Sequence, residues 1–242
     1  MLLAAVTLPL CAQTAVTVAN YAGYTGAFPV APGSIASAYG DFGAVATTSA
    51  STLSPMPKEL ASVRLRVNNV DAALYFISRN QINFVVPVAT ASGRQPVEVA
   101  SGGSVVARGT VNVYDFGPGL ASSDTTPARQ GIVQNQDFSV NSTSARARRG
   151  DVIQIYSTGC GTVNPQVQDG VPPTALSSAV AAVKAYLSGQ EAQVTFAGAH
   201  PQFPGICQVN AVVPDRPFIT GQVPLVVSVS GIESNAVSIW IQ

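Results

Sequence analysis

The chain has 242 residues, of which 47% are hydrophobic and only 10% charged, with twelve Lys and Arg balancing twelve Asp and Glu. This length suits two domains of a little over one hundred residues, each large enough to bury a core. The balanced charge provides no global field to draw in nucleic acid or anionic lipid, and no run approaches the roughly eighteen apolar residues of a membrane span. With 21 Gly, 17 Pro and few of the helix-favouring Lys and Glu, the composition points to short strands joined by many turns.

Residues 1–12 read Met-Leu-Leu-Ala-Ala-Val-Thr-Leu-Pro-Leu-Cys-Ala and resemble the hydrophobic region of a signal peptide, with a small residue before Gln13. Export is the expectation, a buried first strand the alternative, and Cys11 leaves with the segment if it is cleaved. Residues 14–19 form a strand that either completes its own sheet or adds to the sheet of a neighbouring molecule.

From there the chain can be laid over itself. Gly33 opens a strand through Tyr39 as Gly150 opens one through Tyr156, an offset of 117. Gln81-Ile82-Asn83-Phe84-Val85-Val86-Pro87 matches Gln208-Val209-Asn210-Ala211-Val212-Val213-Pro214, an offset of 127, and is the most specific internal match. Gly93 to Val99 matches Gly221 to Val227, and each copy runs through a Ser-Gly turn to a last strand, Val111 to Tyr114 and Val237 to Ile241. Val63 pairs with Val183 at 120, so 127 minus 120 leaves seven extra residues in the second copy, near Gly198 to Gly205.

The Ala-rich stretch before Leu187 favours a helix by propensity. Its counterpart Val63-Arg64-Leu65-Arg66-Val67 alternates with period two, however, and Val183, Ala185 and Leu187 keep that alternation, so it reads as strand with room for a short helix near Ala179. The expected fold is all-β: two tandem immunoglobulin-like β-sandwich domains at residues 13–116 and 120–242, joined by a Gly117-Pro118-Gly119 linker at 117–119.

Several of these motifs carry a resemblance. Val30-Ala31-Pro32-Gly33-Ser34-Ile35, Gln81-Ile82-Asn83-Phe84, Gly117-Pro118-Gly119, Gln130-Gly131-Ile132-Val133, Tyr156-Ser157-Thr158-Gly159 and Gln208-Val209-Asn210 are involved. Together they are similar to the uncharacterised C-terminal domain of many large secreted proteins of Solibacter-like acidobacteria. The likeness covers nearly the whole chain. It implies tandem Ig-like sheets in an extracellular setting, and it brings no catalytic residues with it.

Chemistry-bearing residues are sparse. Cys160 and Cys207 both lie in the second copy of a chain expected to be exported, and they are expected to form a disulfide. Their counterparts near Gly43 and Asn80 carry no cysteine, and closing a loop of about 46 residues contributes roughly 4 kcal/mol on the chain-entropy model. His200 is the one histidine and reads as a solvated turn residue; alone it supports neither a zinc site nor a Ser-His-Asp triad. No metal and no cofactor are expected.

Asp41 and Asp169 sit in loops but lack calcium-loop spacing, and nothing selects two of the carboxylates Asp41, Asp71, Glu98, Asp115, Asp151 and Asp169 as a glycosidase pair. Arg146, Arg148 and Arg149 read as a charged strand edge that discourages pairing, with polyanion binding as the alternative. Asn141-Ser142-Thr143 fits the glycosylation acceptor pattern.

In the last strands Val237, Ile239 and Ile241 share one face, leaving Trp240 on the other. Val111 and Val113 likewise put Tyr114 outside, an aromatic position expected to be common to both copies. Trp240 and Tyr114 are therefore candidates for domain packing or for contact with a ligand or a second subunit. The expected function is a secreted, non-catalytic structural or adhesive protein whose partner is another subunit, itself included, or an extracellular polymer. The alternative is a carbohydrate-binding module with Trp240, Tyr21, Tyr24 and Tyr186 as stacking residues.

Overall fold

A computed structural model describes residues 13–22, 29–124, 126 and 128–242; the signal-like segment and Tyr24 lie outside them. Among the described residues there is no helix, and the strands form two curled sheets. Alternation explains the strands locally. In Ile206–Val212, Cys207, Val209 and Ala211 are buried while Gln208 and Asn210 face outward; in Val152–Thr158, Ile153 and Ile155 turn inward and Gln154 and Tyr156 outward.

The first sheet runs from Thr48–Ser49 through Ala73–Ile77, Gln81–Val85, Ile35–Tyr39, Thr14–Asn20, Ser104–Val113, Gly93–Ser101 and Val63–Val67 to Val70–Asp71. It wraps a core containing Phe42, Leu65, Leu74, Ile77, Ile82 and Phe84. The second sheet wraps another, with Leu120, Ile153, Ile155, Leu187, Ile219 and Leu225. Burying a side chain of this size contributes about 1.5–3 kcal/mol.

The internal repeat recurs in the strand register. Ile35 pairs with Val85 and Tyr39 with Gln81, as Val152 pairs with Val212 and Tyr156 with Gln208. Val67 faces Val97 as Leu187 faces Leu225. The Ala-rich stretch is strand, Ser178–Ala179 and then Val183–Leu187, because each side pairs it into a sheet.

Of the two places expected for the N-terminal strand it takes the first: it lies antiparallel to Ile35–Tyr39 and parallel to Ser104–Val113, completing its own sheet. Two other expectations change. The linker is shorter than three residues, since Gly119 already pairs with Thr158. Trp240 and Tyr114 are not equivalent, because Gly93 faces Val113 where Gly221 faces Ile241, so the counterpart of Tyr114 is Gln242.

The two halves are docked at several points. At the junction Asn20 Nδ2 donates to Gly117 O at 2.8 Å, and within the first half to Pro29 O at 2.8 Å. Gly117 N donates to Gly159 O at 3.0 Å. The Ile35 amide donates to Thr158 Oγ1 at 2.8 Å, and that hydroxyl donates on to Gly205 O at 2.7 Å. Val88 N donates to Asp169 Oδ1 and Met56 N to Gly170 O, both at 2.7 Å. The seven-residue insertion is part of this seam, since Tyr75 donates its hydroxyl to Pro204 O across it at 2.5 Å.

Candidate functional site

Where the outward faces of the two equivalent strand pairs meet, a groove of about 810 Å³ opens between the halves. The first half contributes Tyr21, Ile35, Tyr75 and Asn83; the second contributes Gln134, Gln154, Tyr156, Gln208 and the inserted loop around Phe203. The Gln-x-Asn motif, repeated at 81–83 and 208–210, therefore brings one amide from each copy to the same groove. Sequence reading used that motif only as an internal match; its polar residues alternate outward on otherwise apolar strands, which is the signal that marked it.

None of the described residues lining the groove is charged. Its chemistry is aromatic rings and carboxamides, and the carboxamide oxygens are tied down internally. Gln81 Nε2 and Ser37 Oγ both donate to Asn83 Oδ1 at 2.8 Å. Tyr156 donates its hydroxyl to Gln134 Oε1, and Gln208 Nε2 donates to Asn210 Oδ1 at 2.9 Å and to Gln154 Oε1 at 3.3 Å. With their oxygens held, the NH2 groups of Asn83, Gln134 and Gln154 donate to no acceptor among the described residues and stand ready for a ligand oxygen.

Exposed apolar side chains form the rim: Tyr21, Ile132, Phe203 and above all Phe138, 68% exposed. Phe138 sits at φ +65°, a left-handed conformation that bulky residues avoid. Its turn is braced to hold it there. Asp137 Oδ1 accepts from Ser139 N at 3.0 Å and from its hydroxyl at 2.6 Å, and Asn135 N donates to Ser139 O at 2.9 Å. Those hydrogen bonds from Ser139 hold the Asp137 carboxyl below its usual range. The braced turn thus presents an exposed ring at the rim of the groove.

The expected site residues lie elsewhere. Trp240 is half-buried in Val237–Ile241 with the Arg146 guanidinium 5.1 Å over its ring, so it is covered from within its own half. Arg149 approaches Asp215 at 3.7 Å, leaving the Arg cluster partly committed to structure. Tyr114 is 53% exposed beyond the end of its strand, and Tyr186 lies on Val183–Leu187; neither lines the groove. Of the stacking candidates among the described residues, Tyr21 alone does so.

Cys160 and Cys207 are bonded, their Cα atoms 6.1 Å apart, and the bridge anchors the strand that carries Gln208. At the matching place the first half has the Asp41–Arg79 ion pair at 3.1 Å, which depresses the Asp41 carboxyl. Asp41 and Asp169 thus serve hydrogen bonding, and no metal-ligand cluster occurs among the described residues.

His200 departs most from expectation. It is 7% exposed, not solvated, with its ring edge-on to Tyr156 at 5.4 Å and tilted against Phe203 at 4.8 Å. The turn folds back on it because its Nδ1 accepts the amides of Gln202, at 3.0 Å, and Phe203, at 3.2 Å. Burial lowers its pKa, and burial raises those of Tyr75 and Tyr156.

No protein-family model matches the chain, and no match was found among curated proteins. Among solved structures it is similar to a mixed-linkage glucan utilization locus SGBP-B of Bacteroides ovatus bound to a mixed-linkage heptasaccharide, at 10% identity and TM-score 0.33, over 88% of this chain and 43% of that one. It is also similar to the Escherichia coli adhesin FdeC, at 11% identity and TM-score 0.24 over 95% and 63%, and to the titin Ig tandem A164-A165, at 10% identity and TM-score 0.22 over 88% and 91%. The chain thus spans less than half the length of the first of these. Likenesses at this level say nothing of what it binds.

Proposed function

We propose that the chain is a non-catalytic extracellular binding protein of two tandem Ig-like β-sandwich domains, 13–116 and 119–242, whose interdomain groove holds an uncharged polysaccharide. The observation that carries this is the combination of exposed aromatic rings with unpaired carboxamide donors in a groove without charge. A pyranose presents an apolar C–H face, which a ring covers, and a rim of hydroxyls, which amides bond. A nucleic acid also stacks on aromatic rings, but its phosphates require cations that this groove lacks. The disulfide suits an oxidising compartment. Assembly by strand donation has lost its donor, because the N-terminal strand is paired at home.

Affinity electrophoresis through gels containing xyloglucan, galactomannan or hydroxyethylcellulose tests the reading. At least one should retard the protein, and Phe138→Ala or Gln154→Ala should weaken that binding by about tenfold, the cost of losing an interface anchor. Trp240→Ala should leave it intact. Migration unaffected by every neutral polysaccharide, or binding that Phe138→Ala spares, would count against the groove.

A further inference from the structure

We infer that His200 is a positioning residue of this groove, fixing the Phe203 wall through an Nδ1 acceptor that a single proton abolishes. The inference rests on the polysaccharide reading above for its consequence and on geometry for its substance.

Nδ1 accepts two backbone amides, those of Gln202 and Phe203, so the imidazole carries its proton on Nε2. The same short loop spans the seam. His200 N donates to Ile206 O at 3.0 Å, Pro204 O accepts the Tyr75 hydroxyl, and Gly205 O accepts the Thr158 hydroxyl. The ring is therefore the inner support of a loop that both closes the domain seam and presents Phe203 to the groove. The first copy has no counterpart to this loop, which makes the device a property of the insertion.

Protonation converts Nδ1 from acceptor to donor. It then faces two N–H groups pointed at it, and both hydrogen bonds are lost with no substitute acceptor in the turn. The groups around it offer no compensation. Tyr156 packs against it from Val152–Thr158, and Tyr75 reaches its loop from Ala73–Ile77; both are neutral phenols, their pKa raised further by burial. From the segment behind it, which supplies Val167, Gln168 and Gly170 to the cavity wall, the carboxylate is Asp169, whose Oδ1 is occupied by the Val88 amide. Phe203 is apolar, and among the described residues lining the groove or that cavity none is charged. Burial has already lowered the imidazole pKa, in keeping with an uncompensated site. Acid should thus release Phe203 and weaken the hold on the ligand, while the protein binds fully at neutral pH.

Two measurements on the intact chain separate the inference from the reading on which it rests. By NMR, the His200 ring should show the Nε2–H tautomer at pH 7.5. The hydrogen-exchange protection factors of the Gln202 and Phe203 amides should fall at least tenfold as the ring titrates below pH 6.5, with no polysaccharide present. In xyloglucan, galactomannan and hydroxyethylcellulose gels, wild-type affinity should fall about tenfold per pH unit once the pH is below the imidazole's own pKa. His200→Asn places an oxygen acceptor near the Nδ1 position and cannot be protonated, so it should keep binding at pH 7.5 and lose the pH dependence; His200→Ala should bind weakly throughout. Protection factors that ignore the titration, or a pH profile that His200→Asn shares with wild type, would overturn the inference. Acid-sensitive protection without retardation by any gel would uphold the imidazole's role and overturn the polysaccharide reading instead.

Discussion

Replacing Gly159 by alanine should uncouple the two halves. Gly159 has φ +72°, and an added Cβ would lie 1.9 Å from Gly117 O and 2.4 Å from Gly117 C. Both are backbone atoms, so the linker itself must move. Moving it endangers the Gly117 N to Gly159 O bond and the Asn20 Nδ2 to Gly117 O bond. A left-handed alanine costs about 1 kcal/mol, and two lost hydrogen bonds add about 1 kcal/mol each, for a total of about 3 kcal/mol. Gly189, at φ +77° with open space where its Cβ would stand, is the control: Gly189→Ala should cost the conformational part alone. In calorimetry the linker variant should lose about 6–12 °C and the control about 2–4 °C. Because the groove straddles the seam, Gly159→Ala should also weaken any polysaccharide binding that Gly189→Ala preserves. Equal destabilisation by the two substitutions would refute the linker clamp.

Gly109 lies against the N-terminal strand, and a Cβ there would meet Val16 O at 2.1 Å and Val16 Cγ1 at 2.7 Å. Gly109→Ala should expel residues 14–20, open two strand edges and raise the oligomeric fraction in size-exclusion chromatography with light scattering; an unchanged profile with the strand still protected from exchange would contradict the packing. Reduction of Cys160–Cys207, or the Cys160→Ala/Cys207→Ala pair, should destabilise the second half by about 4 kcal/mol in urea unfolding while leaving the first half's midpoint in place.

The acid response should have two limbs. The lowered His200 pKa means the unfolded chain takes its proton first, so stability is lost as pH falls from 6.5 towards the folded value. Asp41, lowered chiefly by its hydrogen bond from Arg79, contributes stability above pH 3.8 that is lost as pH falls through its folded value. His200→Asn should remove the first limb and Asp41→Asn shrink the second, read as Tm against pH.

Much of the fold was legible because a β repeat writes itself twice. Period-two alternation marks each strand, and the offsets of 117, 120 and 127 reproduce the observed partners Tyr39 with Gln81 and Tyr156 with Gln208. Cys160 and Cys207 could be paired because both sit in one copy. The site was less legible, for a physical reason. Strand alternation tells which side chains face outward but not which outward faces meet, so Gln81-x-Asn83 and Gln208-x-Asn210 showed only as an internal match.

Trp240 looked like a binding residue because nothing local in the sequence announces that Arg146, nearly a hundred residues earlier, lies over its ring. His200 looked solvated because a lone histidine in a Pro-flanked loop gives no hint of the two amides that close on its Nδ1. Composition and periodicity by themselves determined an all-β chain in two like halves, low in charge. Only the docking of those halves decided that their neutral polar faces would form a groove, since a contact between distant segments depends on tertiary packing that no local period encodes.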